Sequence, residues 1–140
     1  MKHLTEILKE INDDVKKINE YKNDNALKYI FEYAFDEDKK FKLPEGEPPF
    51  KPDSAPIGMT PANLRMETKK FYVYLREDLK PIRREQLFIG LLEAIHPDEA
   101  KLVCAIKDQT LNKLYPKITR NLLEGLGLIK PLEKKTKSKN

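Results

Sequence analysis

Residues 83–119 read RREQLFIGLLEAIHPDEAKLVCAIKDQTLNKLYPKIT and hold the densest run of apolar residues in the chain. The apolar positions recur every three or four residues, which is the spacing of one helix face. Proline suits the first turn of a helix but not its interior, so Pro97 divides the run in two. The stretch predicts two amphipathic helices that meet at His96 and Pro97.

The same spacing predicts further helices on both sides of this pair. They are expected at residues 3–21, at 26–35, from Thr60-Pro61 to about 78, and from Thr119 to Gly127, while the first helix of the pair starts at Pro81. Residues 71–75, FYVYL, would also suit a strand, but no second convincing strand exists to pair with it. We therefore expect an all-α fold, a compact bundle of five or six helices.

A Pro-rich segment interrupts the helices at residues 36–60, since six of the ten prolines lie between Pro44 and Pro61. We expect an irregular strap laid across the helices. A disordered linker is the alternative, and long loops in compact domains are often either functional or disordered. Five apolar side chains favour the strap because they would pin it: Phe41, Leu43, Phe50, Ile57 and Met59.

Length and charge indicate one helical domain at residues 1–129, followed by a disordered Lys-rich tail at 130–140. The formal net charge is +4 over 140 residues. The tail holds five Lys and one Glu, which leaves 22 basic and 22 acidic residues in the rest. The N-terminus does not resemble a signal peptide, and no stretch approaches a membrane span. We expect a soluble, cytoplasmic protein.

The residues give little support to catalysis or to metal and cofactor binding. His96, beside Asp98, could act as a base, but a polar residue before Pro97 is better interpreted as a helix cap. Cys104 lies next to an apolar stripe and is predicted to be a buried thiol. Two histidines and one cysteine cannot make a Cys/His zinc site, and no glycine pattern suits a phosphate. We expect no enzyme, no cofactor and no metal.

Two binding hypotheses remain. If the strap leaves its apolar side chains exposed, a protein partner could dock on Phe41, Leu43, Phe50 and Ile57, although the core is the favoured place for the aromatic rings. Nucleic acid is the alternative, bound weakly through phosphates. The basic residues that would take part are Arg83, Arg84, Lys134, Lys135, Lys137 and Lys139.

Three blocks of sequence resemble an uncharacterised family of small proteins encoded by large contractile-tailed phages, many of which infect cyanobacteria. The blocks are residues 43–49 (LPEGEPP), 87–100 (LFIGLLEAIHPDEA) and 105–119 (AIKDQTLNKLYPKIT), within a resemblance that covers most of 23–119. The resemblance implies a phage origin and a location in the host cytoplasm or the virion. It implies no activity and no site residues.

The leading hypothesis is a non-enzymatic adaptor that acts on a phage or host protein. A DNA-associated accessory protein and a minor virion component are the alternatives.

Overall fold

The computed structural model describes residues 2–52, 59–60 and 62–130. Within them the chain forms α-helices and 3₁₀ helices and no strand, which confirms the predicted all-α class. No helix in this part of the chain is both long enough and apolar enough to cross a membrane. The α-helices are α1 (Leu4–Asp13), α2 (Asn25–Phe35), α3 (Leu64–Glu67), α4 (Pro81–Ala94), α5 (Pro97–Asp108), α6 (Leu111–Leu114) and α7 (Arg120–Gly125); the 3₁₀ helices are Val15–Glu20, Glu37–Lys39 and Thr68–Leu75.

Helix α5 lies at the centre of the fold and packs against α1, α2, α4 and α6. Six consecutive residues, Leu102 to Lys107, are buried, so this helix is covered on nearly every side. A helix buried all round belongs to the core and not to the surface of a domain. These four helices bury apolar residues against it, and the buried apolar residues of the fold form a single cluster.

The predicted starts of α4, α5 and α7 are confirmed. Pro81 and Pro97 occupy the first turns of α4 and α5, where their missing N–H groups leave no hydrogen bond unmade. The Thr119 hydroxyl accepts from the Leu122 N–H at 3.2 Å and caps α7. After α7 the chain turns through Gly127, whose φ of +74° favours glycine.

The helix predicted at residues 3–21 is shorter than expected, because α1 ends at Asp13. Asp14 adopts an extended conformation, and its carboxylate accepts from the Lys16 N–H at 3.1 Å. The side chain thus competes with the helix backbone and restarts the chain as a 3₁₀ helix. Ile18 is still buried, so the apolar pattern correctly predicted its burial but not the break.

The helix predicted to start at Thr60-Pro61 begins three residues later. The Thr60 hydroxyl donates to the Ala62 carbonyl, and the Asn63 side chain caps α3 by accepting from the Arg65 N–H. Pro61 lies outside the described residues.

After one turn the helix tightens into the 3₁₀ helix Thr68–Leu75, which includes FYVYL. Its buried residues, Thr68, Phe71 and Tyr74, recur every three positions. That spacing matches the three residues per turn of a 3₁₀ helix, so one face stays inward.

Phe41 is the centre of an aromatic cluster in the core. Its ring centroid lies 5.0 Å from Tyr74, 5.4 Å from Phe71, 5.8 Å from Tyr33 and 6.1 Å from Phe88. Three of these four contacts are edge-to-face, the geometry that aromatic pairs favour. The cluster therefore joins α2, the 3₁₀ helix 68–75 and α4 to the Pro-rich segment, to which Phe41 belongs.

Arg84 is a buried residue that connects several segments of the chain near this cluster. Its side chain is only 9% exposed, and its guanidinium donates to three backbone carbonyls, those of Lys42, Arg76 and Leu79, at 2.9–3.0 Å. Planar guanidinium donors suit several acceptors at once. Arg84 therefore holds the loop before α4 against the start of the Pro-rich segment.

Substituting Arg84 should destabilise the fold, whereas the same change at its neighbour should not. Arg84→Met keeps an apolar stem but leaves three carbonyls without their donor, so we expect the free energy of unfolding to fall by about 2–4 kcal/mol. The exposed Arg83 provides the control, and Arg83→Met should have little effect. Urea denaturation followed by circular dichroism measures both. Equal stability of the two variants would contradict the structural role of Arg84.

Candidate functional site

Within the predicted strap, residues 41–52 are fastened to the helices by hydrogen bonds between their backbone and distant groups, and from here on the strap means these residues. The Lys42 N–H donates to the Tyr74 carbonyl at 2.9 Å, and the Gly46 N–H donates to Asp108 Oδ2 at 3.2 Å. Near its end, the Lys51 N–H donates to Glu93 Oε2 at 2.8 Å. The strap thus follows one path over α4 and the end of α5, as an irregular but anchored segment.

The strongest anchor is Lys107, whose side chain is 1% exposed. Its Nζ donates to the Pro44 carbonyl at 2.7 Å and forms an ion pair with Asp108. Burying an ammonium group is unfavourable unless its charge is paired and its N–H donors find acceptors. The Pro44 carbonyl and the Asp108 carboxylate meet this requirement for Lys107. The apolar spacing of the sequence did not predict this role for Lys107. The signal was a lysine four positions after Val103, on the face of a helix that is otherwise apolar.

A surface groove of about 170 Å³ lies between the strap and the helices, and we call it the strap groove. One wall is formed by residues 43–49 of the strap. The opposite side is formed by one face of α4, which contributes Glu85, Phe88 and Ile89. Lys107 also lines the groove. Phe88 is buried while Ile89 and Leu43 are half-buried, so the groove has an apolar floor.

Gly46 allows the strap to turn around the groove. Its φ of +88° lies in the left-handed region, which residues with a side chain adopt at a cost. A Cβ atom at this position would contact nothing within 4 Å. The glycine is therefore needed for its backbone conformation and not for lack of space.

The residues predicted to bind a protein partner differ in their burial and position. Phe41 is in the aromatic core and cannot anchor a partner, which corrects that prediction. Phe50 is half-buried and packs against the core, and Leu43 lines the strap groove. Ile57 lies outside the described residues, and Met59, which was expected to pin the strap, is 74% exposed.

The residues predicted to bind nucleic acid do not converge in the described part of the chain. Arg83 is exposed, but Arg84 is buried on three carbonyls and is unavailable to phosphates, which corrects its assignment. The physical reason is that neighbouring residues on a helix do not share a face. The other four, Lys134, Lys135, Lys137 and Lys139, lie outside the described residues.

His96 and Cys104 have the structural roles that the sequence favoured. His96 Nδ1 accepts from the Asp98 N–H at 3.0 Å, so the imidazole caps α5 as predicted. Cys104 is buried, and burial raises the pKa of its thiol to about 11, which leaves it protonated at neutral pH. Among the described residues, no group of three or more His, Cys, Asp or Glu could hold a metal ion.

Glu99 is a buried acidic residue beside a second surface cavity. It completes the α5 cap by accepting from the His96 N–H at 3.3 Å, and it lines a cavity of about 120 Å³ with His3 and Arg65. Burial raises the pKa of Glu99, while the His96 hydrogen bond and the charge of His3 act in the opposite direction. Arg65 is bound to Asp24 at 2.7 Å, so this cavity does not offer a free guanidinium.

Removing the Lys107 ammonium should release the strap. In Lys107→Met the Pro44 carbonyl loses its donor and Asp108 loses its cation, so we expect a loss of about 1–3 kcal/mol in the free energy of unfolding. Amide hydrogen exchange in residues 43–49 should also become faster. The control is Lys101→Met, at an exposed position of the same helix. Unchanged exchange in the strap of Lys107→Met would show that the other anchors suffice.

The raised pKa of Glu99 predicts a specific pH dependence of stability. Because the folded state favours the protonated carboxyl, this stabilisation is full below the ordinary pKa of glutamate and is lost as pH rises through the raised value. Glu99→Gln cannot ionise but retains an oxygen for the cap. The variant should therefore gain stability relative to the wild type as pH rises above the ordinary pKa of glutamate, which urea denaturation at a series of pH values measures.

A matched control for Glu99→Gln is Glu6→Gln. Glu6 is exposed and makes the equivalent capping bond in α1, where it accepts from the His3 N–H at 3.0 Å. This variant shows how much pH dependence the capping geometry brings by itself. Parallel pH profiles for the wild type and Glu99→Gln would contradict the prediction.

Comparisons with known proteins identify a family but no relative of established function. Residues 3–113 match the family described as "Family of unknown function (DUF6433)". The match includes α1, which lies outside the blocks that carried the resemblance, and both walls of the strap groove. Searches of curated proteins and of solved structures found no match. The matched residues cover most of the chain, which therefore belongs to this family of unknown function.

Proposed function

We propose that the chain is a non-enzymatic interaction protein that binds a phage or host protein partner in the strap groove. The observation that carries this proposal is the anchoring of the strap by Lys107, Asp108 and Glu93, which keeps a groove open on the surface. Many complexes form with little change in backbone, and an anchored groove suits that mode. The exposed rim, with Glu45, Glu47 and Pro49, would meet the partner first.

The size of the groove favours a protein ligand over a metabolite. Sites for small molecules usually enclose about 300–1,000 Å³, whereas the strap groove encloses about 170 Å³. A volume of this order suits one anchoring side chain of a larger partner, with the rest of the contact spread over the rim. The groove also brings together no nucleophile with a base, which is why we favour binding over catalysis.

The phage origin in this proposal rests on the resemblance of residues 43–49, 87–100 and 105–119 to proteins of contractile-tailed phages. The partner would then be a protein of the infected host cytoplasm or of the phage. A role as a minor virion component predicts that the chain is present in purified particles, which mass spectrometry measures directly. The neighbouring genes would test the phage origin itself.

Two isoleucines of α4 provide a matched test of the proposed interaction. Ile89 lines the strap groove, and Ile82 is 66% exposed on the same helix outside it. Ile89→Lys should abolish capture of the partner, because an ammonium group would replace apolar surface in the groove. Ile82→Lys makes the same chemical change outside the groove and should capture the partner as the wild type does.

The measurement is affinity purification of tagged chain from infected cells, with quantitative mass spectrometry of the captured proteins. Circular dichroism melts confirm that both variants remain folded. A partner retained equally by the wild type and by Ile89→Lys would contradict the proposal. Recovery of DNA alone, sensitive to salt and independent of Ile89, would favour the nucleic-acid alternative instead.

A further inference from the structure

We propose that the partner segment that enters the strap groove carries a cationic side chain, and that arginine is preferred. This inference rests on the proposed function and adds the chemistry of the ligand. It is carried by the charges of the groove, by the apolar floor beneath them and by the shortage of free N–H groups along the strap.

Two acidic groups of the groove have no ion-pair partner in the part of the chain that the structure describes. Lys107 is neutralised by Asp108, and Lys40 forms an ion pair with Glu45. Glu47 and Glu85 also line the groove, and neither makes a hydrogen bond or ion pair within the described residues. The groove therefore presents two unneutralised carboxylates, one from each wall.

These carboxylates lie beside apolar surface from Leu43, Phe88 and Ile89. Long basic side chains combine an apolar stem with a charged end, so they match a groove that is apolar at its floor and acidic on its walls. A guanidinium can donate to both oxygens of a carboxylate and to a second acceptor, whereas an ammonium acts as a point charge. Arginine is therefore the better complement for carboxylates on opposite walls, and a phosphate would be repelled.

The strap is poorly suited to recognition through the backbone. Pro44, Pro48 and Pro49 have no N–H group, and the Gly46 N–H already donates to Asp108. A partner segment cannot pair with such a strap as an added strand, which requires a row of free donors and acceptors. Recognition would then depend on the side chain that enters the groove.

The test is a titration of the isotope-labelled full chain with capped peptides, followed by NMR. The peptides have the sequence Pro-Ala-X-Ala-Pro, with arginine, glutamine or glutamate at X. The arginine peptide should shift the amides of Gly46, Glu47, Glu85 and Ile89. Its dissociation constant should be about fivefold lower than that of the glutamine peptide, and the preference should fall at high ionic strength.

A double substitution, Glu47→Gln with Glu85→Gln, should remove the preference for arginine. Asp13→Asn with Glu20→Gln makes the same change of charge at two exposed positions outside the groove and should keep it. Equal binding of the arginine and glutamine peptides to the wild type would overturn the inference. So would a preference that survives the Glu47 and Glu85 substitutions.

The outcomes separate this inference from the proposed function. If a captured partner depends on Ile89 but the peptides show no preference for arginine, only the inference fails. If capture does not depend on Ile89, the proposed function fails whatever the peptides do. The chain also has its own lysines at 134, 135, 137 and 139. These lysines could occupy the groove themselves. If changing them to Gln shifts the groove amides when no peptide is present, the groove binds the chain's own lysines, and the inference of a separate partner is overturned.

Discussion

The burial of the Lys107 ammonium at the end of a central helix is the constraint on which the candidate site depends. Helix α5 is covered on nearly every side, so a charged group on it must find its partners inside the protein. One partner, Asp108, is the next residue, but the other is the Pro44 carbonyl from a segment 63 positions away in sequence. The need to satisfy this ammonium fixes the strap beside α5.

The aromatic cluster and Arg84 provide the second point of attachment. Phe41 inserts into the core where the strap begins, and Arg84 binds the carbonyl of the next residue, Lys42. Between Phe41 and Pro44 the strap is therefore held at both ends by buried side chains, Phe41 itself and Lys107. Beyond Pro44 the chain turns outward at Gly46 and exposes its acidic residues, so the same anchors that stabilise the fold also create the groove.

The candidate site combines residues that sequence spacing could associate and residues that it could not. Glu85, Phe88 and Ile89 share a helix face by their spacing alone. Their pairing with Glu47 and Lys107 depends on how the strap crosses α4 and α5. Sequence spacing also does not place Phe41, because an aromatic residue in a Pro-rich segment suits either a core or an interface. Only the packing of the folded chain distinguishes the two.

The sequence by itself determined the helical class, the starts of α4, α5 and α7, the burial of Cys104 and the capping role of His96. These features depend on local rules: apolar periodicity, proline at a first turn, and a side chain that caps the nearest N–H groups. The tertiary structure decided the break at Asp14, the 3₁₀ geometry of residues 68–75, the internal role of Arg84 and the course of the strap. Each of these depends on partners distant in sequence or on competition between side chain and backbone, which residue spacing does not specify.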